Sequence, residues 1–171
     1  MLKRLLLTVL TTLALSAAMA AAAAQDEGGQ TIVRPRTFTI PAGQCPTLPA
    51  GLAIHGQGTE HTTIVIGGDG DDPDDEDNDG DAPMFRLNTT IVGTATDNAG
   101  GQYKFNYRLR VRSLNDPTSG VAVDTFRLHG KGAADGLATL IRANLTFDAN
   151  FNPIAFDLVE LAGDPFHCDP L

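Results

Sequence analysis

From Tyr103 to Arg112 the side chains alternate without a break, with Tyr103, Phe105, Tyr107, Leu109 and Val111 on one parity and Lys104, Asn106, Arg108, Arg110 and Arg112 on the other. A two-residue repeat is the period of a β-strand, so this stretch predicts a strand with one apolar and one basic face. The segment before it behaves alike: Phe85, Leu87, Thr89, Ile91, Gly93 and Ala95 share one parity, and Asp97-Asn98-Ala99-Gly100-Gly101 has the composition of a hairpin turn. Two half-buried strands joined by a short turn are the seed of an antiparallel sheet.

The same reading extends in both directions. Thr37-Phe38-Thr39-Ile40-Pro41 predicts a first strand, Leu52 and Ile54 begin a second, and Thr62 to Ile66 form a third. Gly56-Gln57-Gly58 between the last two marks either a turn or a bulge in one longer strand. Beyond the turn at 115–120, Phe126 and Leu128 mark another strand, and Leu137 to Phe147 alternates cleanly before a turn at 150–153. The closing segment, Ile154 to Leu161, changes parity between Leu158 and Val159, which predicts a bulge. The fold class is therefore all-β: one antiparallel meander of about seven to eight strands, closed as a barrel or folded as a sandwich.

Ahead of this domain, Met1-Leu2-Lys3-Arg4 is followed by an uncharged run from Leu5 to Ala24 that ends in small residues. Basic start, apolar centre and Ala-x-Ala exit predict a cleavable secretory signal at 1–24, cut after Ala24. Residues 25–36 then read as a flexible segment and 37–171 as a single β domain, destined for secretion or the periplasm with no membrane span left after cleavage. Cys45 and Cys168 stand near opposite ends of it, and an even cysteine count in an oxidising compartment predicts a disulfide.

The formal charge of −9 becomes −11 once Lys3 and Arg4 leave with the signal, and nine acidic residues sit within 69–81. The acidity thus belongs to an Asp/Gly loop at 68–82, too charged to bury surface, and not to the fold as a whole. Inside the loop, Asp75-x-Asp77-x-Asp79-Gly80 resembles the calcium loop of EF-hand and dockerin-type modules. That resemblance implies Ca²⁺ held by Asp75, Asp77 and Asp79, and Ca²⁺ is the one cofactor suggested. Arg86 stands where the EF-hand's bidentate glutamate belongs, so the expected affinity is weak, on the order of 10⁻⁴ to 10⁻³ M.

Lys104, Arg108, Arg110 and Arg112 form a candidate anion-binding face, while the net negative charge argues against nucleic acid as a partner. Ser113 and Ser119, the serines beyond the signal, lie in no nucleophile-elbow setting, and no catalytic residue is singled out. His55, Glu60 and His61 would meet as metal ligands or an acid–base pair only if the histidines flanked a hairpin. Two functional readings remain. One is a non-enzymatic exported domain that binds an extracellular or envelope ligand or serves a structural role. The other is a small-molecule barrel or barrel enzyme lined by Phe85, Phe105, Tyr107, Phe126 and Phe147. A cavity at one barrel mouth with inward polar groups would favour the second, and a filled core with the only polar cluster outside would favour the first.

Overall fold

The computed structural model describes residues 29–67, 84–113, 118–150, 152–165 and 168–170. The expected signal at 1–24 and the expected acidic loop at 68–82, with the candidate Ca²⁺ ligands Asp75, Asp77 and Asp79, lie outside the described residues. Seven strands run in chain order: β1 (Gln30–Ile40), β2 (Ile54–Gly67), β3 (Met84–Asp97), β4 (Gln102–Ser113), β5 (Ser119–Lys131), β6 (Ala138–Phe147) and β7 (Pro153–Gly163). Each pairs antiparallel with the next, so all seven form one meander sheet in the order β1 to β7.

Two segments differ from the sequence reading. Residues 54–67 are one strand, not two, because the Gly56-Gln57-Gly58 stretch keeps its pairing with both neighbours. The glycine there serves packing: the Phe38 ring occupies the space a Cβ on Gly56 would fill. β1 begins at Gln30, ahead of the alternation at Thr37, and accommodates Pro35 because it is an edge strand with one partner. The bulge in β7 is present. Pairing steps from Arg142↔Glu160 to Ala143↔Leu158, skipping Val159.

The sheet coils round a single interior. Phe38 on β1 meets Phe126 on β5 edge-on, with ring centroids 5.5 Å apart, although three strands separate them in the ladder. One apolar cluster, including Phe38, Ile40, Ile54, Phe105, Phe126 and Leu128, fills one end. A smaller one around Ala122, Leu145 and Phe147 fills the other. Among the described residues no ladder joins β1 to β7. Cys45, just past β1, is instead bonded to Cys168, just past β7, so a covalent link ties the two edges at the larger core. No helix among the described residues is long and apolar enough to cross a membrane.

The link spans 123 residues of sequence, and a loop of that length restricts the unfolded chain strongly. Replacing both cysteines by Ala is expected to lower stability by roughly 4–5 kcal/mol. A lower urea midpoint, with a steeper slope because the unlinked chain unfolds to a more open state, measures it, and an unshifted midpoint would show that the bond does not constrain the chain.

Candidate functional site

Strand register places the inward side chains on rungs that run across the sheet. One rung reads Arg34, Glu60, Ile91, Tyr107, Phe126 and Thr139 from β1 to β6, and the next reads Ile32, Thr62, Thr89, Leu109, Asp124 and Ile141. Polar groups are thus gathered on two adjacent inward rungs between the two apolar clusters. Water cannot serve side chains there freely, so each must find partners within the fold.

Glu60 is the centre of this layer, with only 1% of its side chain exposed. Arg34 donates through Nε to Glu60 Oε1 at 2.8 Å, and its Nη2 lies 2.8 Å from the same oxygen. Arg36 brings Nε to 2.8 Å from Oε2, but neither of these two atoms completes a hydrogen bond. The Thr62 hydroxyl also donates to Oε1 at 3.1 Å and lies 2.9 Å from the Thr89 hydroxyl. Two guanidinium groups therefore face one buried carboxylate, and both stay partly open, at 38% for Arg34 and 30% for Arg36.

Across the interior, the Tyr107 hydroxyl donates to Asp124 Oδ2 at 3.1 Å. The other oxygen, Oδ1, is buried without a hydrogen-bond partner. Burial, and next the charge of Asp169, push the Asp124 carboxyl well above the usual carboxylate range. Burial, and next the charge of Asp124, raise the Tyr107 hydroxyl likewise. Asp169, just past the disulfide, accepts a hydrogen bond from Thr139 Oγ1 at 2.9 Å. Asp124 is thus a carboxyl favoured in its protonated form, with one oxygen left to offer an incoming group.

A second buried tyrosine–carboxylate pair differs in character. Tyr103 donates to Asp97 Oδ2 at 2.5 Å, while the backbone N–H groups of Ala99 and Gly101 donate to Oδ1. Those bonds, that from Tyr103 foremost, hold the Asp97 carboxyl below its usual value. Asp97 clamps the β3–β4 hairpin, and both its oxygens are occupied.

Lys104, Arg108, Arg110 and Arg112 all stand exposed on the outer face of β4, away from the interior layer. Arg112 lies directly opposite Arg86 of β3 in the register. His55 and His61 both point outward on β2, where six residues put them about 20 Å apart, while Glu60 points inward. The strand thus separates this trio, which needed a hairpin to meet. No group of three or more His, Cys, Asp or Glu side chains suited to a metal occurs among the described residues. A shallow outer groove of about 370 Å³ is lined by Thr37, Thr39, His55, Gln57, Thr94 and Thr96. All six are exposed. Of the five expected interior aromatics, Phe105, Tyr107, Phe126 and Phe147 are buried, and Phe85 is half-buried against Phe147.

Sequence reasoning did not single out Arg34, Arg36, Tyr107 with Asp124, or Glu60 as an interior charge. The signal was parity. Asp124 shares the parity of Ala122, Phe126 and Leu128, Glu60 that of Thr62 and Ile64, and the two arginines that of Phe38 and Ile40.

No protein-family model matches the sequence, and no curated protein or solved structure matches it either.

Two outcomes follow from the buried charges. Glu60→Gln leaves two arginines facing a neutral amide, and breaking a buried pair on one side is expected to cost about 3–5 kcal/mol, read as a lower urea midpoint. A variant as stable as the parent would show that solvent already serves the arginines. Asp124 holds its proton in the fold to higher pH than the unfolded chain does. Between the ordinary value of 3.8 and the raised one the native state binds the extra proton, so the stability Asp124 contributes is lost as pH rises through the raised value. Asp124→Asn removes that decline, and urea titrations across the pH range test it. Parallel profiles for parent and variant would place the proton elsewhere.

Proposed function

We propose that this chain is an exported domain that binds a small molecule inside its coiled sheet, at the polar layer formed by Arg34, Arg36, Tyr107 and Asp124. The observation that carries this reading is the buried Oδ1 of Asp124, which has no hydrogen-bond partner although Tyr107 donates to the other oxygen. A buried polar atom without a partner costs roughly 1–3 kcal/mol, and a fold gains nothing by keeping one unless something else binds it. Interior sites that combine apolar walls with a few convergent polar groups are the ordinary form of small-molecule pockets. Export is supported by the basic, then apolar, then small-residue order of residues 1–24 and by the disulfide.

Access is provided by the seam between β1 and β7. At the level of the polar layer, the inward side chains of β2 to β4 are buried, whereas those of β1 are partly open. On the far lip, Leu158 and Leu161 share the face of their β6 partners Ala143 and Ile141, yet are 50% and 42% exposed. Inward-facing leucines left uncovered mark apolar space the protein does not fill itself.

A neutral solvatochromic dye, Nile red, tests the site without favouring any charge. One dye is expected to bind per chain with a blue-shifted emission. Leu161→Arg should weaken it about tenfold, the loss of roughly 1.5 kcal/mol of apolar contact. Dye that fails to bind, or that ignores both Leu161→Arg and Asp124→Ala, would remove the interior as the site.

A further inference from the structure

We infer that the ligand of this interior is a carboxylate carried on a single apolar chain, its head against the β1 arginines and its tail against the β7 leucines. This rests on the interior-binding reading and gives it a chemical class. The two lips of the seam differ in kind. On β1 the open groups are Arg34 and Arg36, which share only the one carboxylate of Glu60, itself almost fully covered. On β7 they are Leu158 and Leu161. A molecule bridging the lips is therefore amphipathic, with the anion at the arginine end.

The remaining polar groups agree with that polarity. Arg34 spends both of its close contacts on one oxygen of Glu60, and Arg36 reaches the other oxygen through Nε alone, in an ion pair at 2.8 Å. Guanidinium donors left over in a partly desolvated setting suit a planar carboxylate, which accepts two parallel N–H bonds. Asp124 in its protonated form adds a donor through Oδ1, the oxygen to which Tyr107 does not donate. Asp169, whose negative charge acts on Asp124 and Tyr107, accepts a hydrogen bond from Thr139 of β6, so a carboxylate head belongs at the β1 arginines and not beside Asp169. An ammonium head would meet the arginines as a like charge, and an alcohol would use one acceptor where two guanidinium groups wait.

Displacement of bound Nile red by dodecanoate, dodecanol and dodecylammonium, each below its micelle concentration, tests the class on the intact mature chain. Dodecanoate is expected to bind at least about 30-fold more tightly than dodecanol, with dodecylammonium weaker still. Arg36→Met should shrink the acid-over-alcohol ratio to within about threefold, whereas Arg108→Met with Arg110→Met on the outer face should leave the ratio as it was. Equal affinity for acid and alcohol overturns the inference, as does a ratio that follows the outer arginines or binding only to anionic phospholipid vesicles. If Arg36→Met does not fold, Arg34→Met and the three-ligand series on the parent chain still decide it. Dye binding without carboxylate preference defeats this inference alone, while absence of dye binding defeats the interior reading itself.

Discussion

A carboxylate sealed inside a small β fold imposes conditions on everything around it. Glu60 lies on the inward face of β2, and an isolated ionised group there would cost far more than a domain of this size can offset. Its compensation comes from β1, whose Arg34 and Arg36 reach it from the neighbouring strand. That requirement explains why β1 stays paired as far as Gln30, well before its apolar alternation begins. The ion pair and the strand define each other: without the register Arg34↔Glu60, neither the pairing nor the burial would hold.

The edges of the sheet are managed differently from its middle. In a closed barrel every strand has two neighbours, and edge chemistry disappears. Here the Cys45–Cys168 bond holds the edges together at the larger core, and among the described residues no ladder joins β1 to β7. The bulge at Val159 twists β7 and keeps Leu158 on the face of Ala143, where an unbroken strand would have turned it outward.

Much of the fold was legible because alternation is a physical consequence of the pleat. Tyr103 to Arg112 could be read as a strand, with the correct face inward, from parity alone. The parity change at Val159 disclosed the bulge for the same reason. The polar layer was harder, since charged residues within an alternating strand read naturally as its solvated side. Asp124 and Glu60 nevertheless sit on the apolar parity of their strands, a local conflict that parity analysis exposes once it is carried through every strand. What parity does not contain is the partner. The approach of Asp169 to the β5–β6 region depends on the disulfide drawing the C-terminal segment across the fold, a contact between distant parts of the chain.

The composition of that layer bears on why it persists. Buried ion pairs are poor sources of stability, and apolar side chains of similar volume commonly serve a core as well or better. Ile or Leu at 34, 60 and 124 would extend the two apolar clusters into one and remove a buried carboxylate, one of its guanidinium partners and a buried carboxyl. The layer keeps instead a carboxylate shared by two arginines and a carboxyl whose outer oxygen has no partner. On the interior-binding reading we propose, polar groups that weaken a core are kept because they converge on an occupant. On the same proposal, the arginines of β1 and the leucines of β7 set the polarity of that occupant.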